Sequence, residues 1–472
     1  MLHLTLRYPL IQLCSRLQLD LRGNRLGPAG AAALALGLAA NGGLTCVDVR
    51  YNRITGDGAA QLSAAVLGNL KIEMFNKIPI KEMRADSFTE LDLMGKGVGV
   101  EGGMVVAGLI PVMGGLTKMS LAGNQLEEEG TKAICEALEQ NKTLKELDIS
   151  GDGFGATRAS NIEGSAGAKH VTKMLGVNGG LTRVDVRSNN IAGDGAEQLS
   201  AAVLGNLKIE MFNEIPIKEM RANSITELDL MGKGLGVEGV MVVAGLIPVM
   251  GGLTSIDVRQ NDIAGDGAVQ LAAAVLGNLK IEIFNKIPIK EMRANSITKL
   301  DLIGQIGVEG GMVVAGLIPV MGGLKELNIA GNSIMDEGIT AICNAVQGNK
   351  ETKLASLNVS FNYISSVGAT AVAAMVAVTG SLTALDLTDN NLKDEGVSAV
   401  CKAIQSNKET KLASLNFKNN GIRPGGANAL AAMVAVTGSL TECGLSYNNM
   451  SKEGEALIRK AVEGKAGFKL HL

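Results

Sequence analysis

A chain of 472 residues that is 46% hydrophobic and 19% charged is globular rather than disordered. Its 44 basic and 47 acidic residues leave a net charge of −3, which excludes a general binder of nucleic acid or anionic membrane, because that needs a basic stripe. The six cysteines form no C-x-x-C pair of the redox or zinc type and set out no disulfide framework, which fits a reducing compartment, and no apolar run reaches the length of a membrane span.

Taken in order, residues 1–21 mix apolar residues with His3, Arg7 and Pro9. They lack the apolar centre and small-residue cleavage site of a signal peptide. They read as the ragged start of a truncated array. From there the pattern Leu-x-x-Leu-x-Leu-x-x-Asn recurs. Its best copies start at Leu44, Leu116, Leu181, Leu253, Leu324, Leu354, Leu382, Leu412 and Leu440. Looser copies start at Arg16, Phe88, Leu144, Ile225 and Ile297, giving about fourteen units. Most starts are 27 to 30 residues apart, three gaps are 44 and one is 37. A 72-residue cassette opens at Leu44 and Leu181 and its sequence returns at Leu253, and a 58-residue period is marked by Leu324, Leu382 and Leu440.

The spacing has a physical reading. Side chains alternate along a strand, so the fourth and sixth positions point inward and the fifth points out. Asn at the ninth can bond backbone groups that the turning chain leaves unpaired. The apolar period then becomes helical, as at Ala196, Leu199 and Val203. Helices are expected over Ala192–Gly205 and Val240–Met250, with Asp57, Asp194 and Asp266 as N-caps and Gly205-Asn206 and Gly277-Asn278 at the ends. The stretch Leu70–Arg84, repeated from Leu207 and Leu279, has no room for a full helix. It reads as a short repeat, a strand near Ile72–Phe75 followed by a tight turn carrying Pro79. Gly151–Gly167, rich in Gly and Ser, reads as a flexible edge loop. Phe468, Leu470 and Leu472 alternate like a last strand behind a polar-sided helix at Glu453–Glu463.

These matches resemble the leucine-rich repeat family, in particular its long-repeat, ribonuclease-inhibitor-like class, over Arg16–Leu472. The resemblance implies an α/β solenoid, a right-handed horseshoe with parallel strands on the concave face and helices on the convex face. The expected organisation is one array over 1–472: an N-terminal repeat (1–43), 72-residue cassettes with short inserted repeats (44–323), 58-residue cassettes (324–450) and a C-terminal cap (451–472).

Chemistry is sparse. Gly97-Val-Gly99-Val-Glu101-Gly102 spells G-x-G-x-x-G between a strand and a helix and is repeated at Gly234–Gly239, but the third copy reads Gln305-Ile306-Gly307. A repeat turn needing small residues explains it better than a dinucleotide cradle. His3, His170 and His471 are scattered, so no metal site or catalytic triad is legible. Cys135, Cys343 and Cys401 share one helical position and read as small buried thiols.

The surface is more informative. The fifth strand position carries Asp48, Asp185, Asp229 and Asp257 among others, with Arg50, Arg187 and Arg259 two places on. Tyr51, Phe361 and Tyr447 hold the next outward position and are the best aromatic anchors. These ten residues are the expected partner-binding set. The function expected is a non-enzymatic protein-interaction scaffold, cytoplasmic or nuclear, with no cofactor, no metal and no nucleic-acid partner. One alternative is a GTPase-activating protein similar to the Ran-activating family, although no catalytic loop of that family is legible here. The other is the ligand-sensing repeat region of an immune or signalling receptor, although no nucleotide-binding module is legible in these residues.

Overall fold

A computed structural model describes residues 17–152, 160–304 and 306–472. The chain forms two compact units, Met1–Ala222 with Lys233–Leu246, and Asn223–Gly232 with Ile247–Leu472. Each is an α/β solenoid. Short strands stack in parallel on one side, and a helix returns the chain on the other. In the first unit Leu17–Asp20 pairs with Leu44–Asp48, and Glu90–Asp92 opens a run continuing through Lys118–Ser120, Glu146–Asp148 and Arg183–Asp185. In the second unit a seven-stranded sheet runs from Lys299–Asp301 to Lys469–His471, so the terminal alternation is a strand as expected. Neighbouring strands lie about 4.8 Å apart and packed helices about 8–10 Å apart, so such a stack curves toward its strand side.

Alternation decides what is inside. Val47 and Val49 are fully buried while Asp48 between them faces out. The helix Gly56–Gly68 buries Ala59, Leu62 and Val66 on one face. No repeat encloses these side chains alone, and adjacent repeats supply the missing wall.

A ladder of asparagines ties the turns together. Asn52 donates to the Leu21 and Val49 carbonyls at 2.8 and 2.7 Å, and its Oδ1 accepts from the Asn24 and Leu26 amides. Asn124, Asn189, Asn332, Asn362, Asn390 and Asn420 do the same work in their repeats. In the 37-residue unit the ninth position is Asp152, and the ladder place is taken by Asn161, nine residues on. Asn161 donates to Leu121 and Ile149 and accepts from Asn124. Residues 153–159, the centre of the expected loop, lie outside the described residues. The helix Ser165–Val177 already begins inside the span expected to be loop.

The short repeats have their own geometry. The strand Met74–Phe75 pairs with the Leu44–Asp48 strand, then the chain folds back, with Phe75 and Ile78 exchanging backbone bonds of 3.1 and 2.6 Å. Those bonds occupy the Phe75 edge, and the sheet stops there before restarting at Glu90. Pro79 precedes a five-residue helix, Ile80–Arg84. The Arg84 guanidinium donates to the Ile72 and Leu67 carbonyls at 3.0 and 2.9 Å, closing the preceding helix end. Arg221 and Arg293 repeat the bond.

Two expectations at helix ends are corrected. Asp57, Asp194 and Asp266 are not N-caps. The caps are Thr55, Ala192 and Ala264, and each helix starts at a glycine with positive φ (Gly56, Gly193, Gly265) that places the aspartate inside the first turn. There it complements the helix dipole without capping. The helix expected at Val240–Met250 begins four residues earlier and runs Gly236–Leu246. In its copies, Gly99–Leu109 and Gly307–Leu317, the run ends as the Ile-Pro-Val segment tightens into a 3-10 turn.

Candidate docking face

The fifth strand position is nowhere buried, and each acidic or amide side chain there has a local job. Oδ1 of Asp48, Asp92, Asp185, Asp229, Asp257, Asn358 and Asp386 accepts the backbone N–H two residues on. This Asx turn lets the chain leave the strand without orphaning an amide.

The arginines two places on are drawn into the same turn. Arg50 bonds Asp48 at 2.8 and 2.7 Å and donates to the Lys96 carbonyl at 2.8 Å. It is only 3% exposed, so it stiffens the face rather than projecting from it. Arg187 bonds Asp185 at 2.6 Å, Glu214 at 2.7 Å and the Lys233 carbonyl at 2.9 Å. Arg259 bonds Asp257 at 2.6 Å. Burial would raise the Asp257 carboxyl, but the Arg259 bonds outweigh it and hold that group below its ordinary range. Asp229 is exposed, and the bond above is to a backbone amide.

The aromatic residues stand apart from this network. The eighth position of the repeat is left-handed along the chain and holds Gly at Gly23, Gly95, Gly123, Gly232 and Gly331. Tyr51, Phe361 and Tyr447 adopt the same backbone at φ +63°, +56° and +61°. They are 64%, 56% and 78% exposed. A bulky side chain in this region costs about 1 kcal/mol relative to glycine. The fold asks only for the backbone, so these rings are an addition to it.

Sequence reasoning missed Tyr363, at the tenth position, with φ +57° and 71% exposure. Its signal was available. The described tyrosines, Tyr51, Tyr363 and Tyr447, all sit on such turns. Phe75, Phe212, Phe284 and Phe417, by contrast, are fully buried.

A second group missed from sequence is internal. Glu101, Glu238 and Glu309 stand inside the three glycine-rich turns and are buried. Asn76, Asn213 and Asn285 of the short repeats donate to them at 2.9, 3.1 and 2.9 Å. Burial pushes the carboxyls of Glu101 and Glu238 up to about 7 and that of Glu309 to about 8, against the opposing pull of their backbone and asparagine bonds. A Cβ added to Gly99 would lie 2.8 Å from Glu101 Oε2. Each turn is therefore filled by the chain's own carboxyl at a helix start, where the phosphate of a dinucleotide would have to sit. Cys135, Cys343 and Cys401 are buried as expected, and burial raises each thiol, that of Cys343 to about 12. Among the described residues no group of His, Cys, Asp and Glu could hold a metal ion, and no helix is long and apolar enough to cross a membrane.

Comparison with known proteins agrees with this architecture. A family model described as "Leucine Rich repeat" matches residues 17–35, 44–63, 181–200, 253–272, 324–343, 350–373 and 381–401. The chain is a leucine-rich repeat protein. Within that class it is ribonuclease-inhibitor-like: it is 22% identical to ribonuclease inhibitor of Mus musculus over 456 residues, covering 96% of this chain and 88% of that one. It is also similar to NACHT, LRR and PYD domains-containing protein 5 of Homo sapiens, at 23% identity over 72% of this chain, and spans a quarter (25%) of that protein's length. Over 122 residues it is 34% identical to RAN GTPase-activating protein 2 of Arabidopsis thaliana, covering 26% of this chain and 22% of that one.

Proposed function

We propose that this protein is a non-enzymatic scaffold that holds a protein partner against its strand face and the turns leaving it, in the cytoplasm or nucleus. The observation that carries this reading is the set of exposed rings at Tyr51, Phe361, Tyr363 and Tyr447 on a strained backbone that glycine occupies in other repeats. Rigid aromatics supply contact area at low entropic cost, and such side chains dominate protein interfaces. Asp229, free of a close ion pair among the described residues, adds an acidic contact. The pairs Asp48–Arg50 and Asp185–Arg187 in the first unit, and Asp257–Arg259 in the second, each stiffen the turn that holds them, so little order is lost there on binding.

The test is quantitative affinity capture with the protein and with Tyr51→Gly, Phe361→Gly and Tyr447→Gly combined with Asp229→Lys. The scaffold reading expects partners held by the unaltered protein to be lost from the variant. An unchanged set, from a variant that melts as the parent does, removes this face.

A second reading, a GTPase-activating protein, is favoured by the 34% identity to the Arabidopsis protein over 122 residues. Stimulation of GTP hydrolysis by a Ran-type GTPase would establish it. The sensing region of a larger receptor is a third reading, resting on the NACHT, LRR and PYD relatives. A transcript joining this chain to a nucleotide-binding module would decide for it.

A further inference from the structure

The four exposed rings fall into two pairs. The Arg50 guanidinium lies 5.8 Å from the centre of the Tyr51 ring, and Lys418 Nζ lies 5.0 Å from that of Tyr447. Each of these rings carries a cation from its own chain. Among the described residues no such cation lies over Phe361 or Tyr363. Those two rings line one groove of about 480 Å3 with Asp389, Asn391, Asn419 and Gly421.

Asp389 is the groove's only charged side chain among the described residues. Its Oδ1 accepts from the side-chain Nδ2 of Asn419, and no described cation pairs with it. The adjoining hollow is lined by Lys393 and Arg423 together with Asp394 and Glu395, and among the described residues neither cation lies within ion-pair distance of Asp389. Two aromatic faces and one carboxylate without a counter-ion make a site complementary to a cation.

We infer that the groove of Phe361, Tyr363 and Asp389 receives an arginine or lysine side chain presented by a partner protein. This rests on the scaffold reading and names the chemistry its partner must carry. The planar guanidinium suits the site better than an ammonium, because it stacks on a ring and bonds a carboxylate at once. Tyr447, already covered by Lys418, lies outside the site.

The experiment uses the full chain with a fluorescein-labelled hexa-arginine peptide and its hexa-citrulline counterpart, at physiological salt. Anisotropy is expected to show the arginine peptide bound at least ~10-fold more tightly than the neutral one. The Phe361→Gly/Tyr363→Gly double variant and Asp389→Asn should each weaken it by roughly 5- to 10-fold. Glu136→Gln, at an exposed position of the helix Glu127–Glu139, should leave it unchanged. Glycine already serves at both turn positions, in Gly331 and Gly421, so the double variant keeps its fold, and a thermal melt verifies this. Absent binding, equal binding of both peptides, undiminished binding by the double variant, or an equal loss with Glu136→Gln overturns the inference. Partner docking elsewhere on the face would then still be decided by capture.

Discussion

Asn285 Nδ2 donates to Glu309 Oε1 across 2.9 Å, joining a short repeat to the first turn of the next full helix. The same asparagine accepts from the Val258 amide at 2.9 Å in the repeat before. Three consecutive repeats are thus bridged by one amide and one buried carboxyl. Asn76–Glu101 and Asn213–Glu238 repeat the clasp.

This clasp makes stability depend on pH. The folded-state values of Glu101 and Glu238, about 7, and of Glu309, about 8, lie above the ordinary 4.5. The folded chain therefore binds protons that the unfolded chain has released. The stabilising contribution is full below 4.5 and is lost as pH rises through 7 to 8. Glu309→Gln keeps an acceptor for Asn285 and removes the titration. It should raise stability by on the order of 2–4 kcal/mol at a pH near 9 and change it little near 5. Urea unfolding at the two pH values checks this.

Asn362 shows what the ladder holds. It donates to the Ile329 and Ser360 carbonyls at 2.8 and 2.9 Å and accepts from the Asn332 and Ile334 amides. Asn362→Ala leaves buried backbone groups unpaired and should cost about 2–4 kcal/mol, read as a lower urea midpoint. Asn419→Ala, on an exposed turn next to the ladder, should cost under about 1 kcal/mol.

Glycine is required where repeats touch and dispensable where they do not. A Cβ at Gly58 would run into the Pro28 backbone of the preceding repeat, whereas one at Gly37, inside the helix Gly27–Ala40, meets nothing within 4 Å. Gly58→Ala should cost about 2–4 kcal/mol through overpacking. Gly37→Ala should gain roughly 0.5–1 kcal/mol, a rise in Tm, because it restricts the unfolded chain.

The left-handed turn makes a further demand. Tyr447→Asn suits φ +61° and should hold stability within about 0.5 kcal/mol, while Tyr447→Val puts a β-branched residue there and should lose about 1–2 kcal/mol. Chemical denaturation of the pair distinguishes the cost of the backbone from the loss of the ring.

Much of the fold was legible because a strand's alternation and the ninth-position asparagine are local rules repeated many times. Leu44 through Asn52 is enough to place two buried valines and an outward Asp48. The short repeat was legible as too short for a helix. Its sheet break was not, because it depends on Phe75 pairing with Ile78 rather than with a neighbour. The ladder role of Asn161 was hidden by the nine-residue insertion before it. Glu101 read as one letter of a glycine motif, since burial of a carboxyl depends on Asn76, 25 residues away. At the candidate site the outward positions followed from spacing. That Arg50 folds onto Asp48 and the Lys96 carbonyl depends on a loop in another repeat. Tyr363 was missed because the tenth position has no strand alternation to mark it as exposed.

Whether partners are held on the strand face and its turns, and not on the helices, is read most directly by hydrogen–deuterium exchange of the protein with a captured partner. Slowed exchange is expected in peptides containing Val47–Arg53 of the first unit or Asn358–Ile364 and Leu445–Asn449 of the second, with the helices Ser366–Val378 and Pro424–Val436 unchanged. Protection confined to those helices, with the turns exchanging as in the free protein, would contradict it.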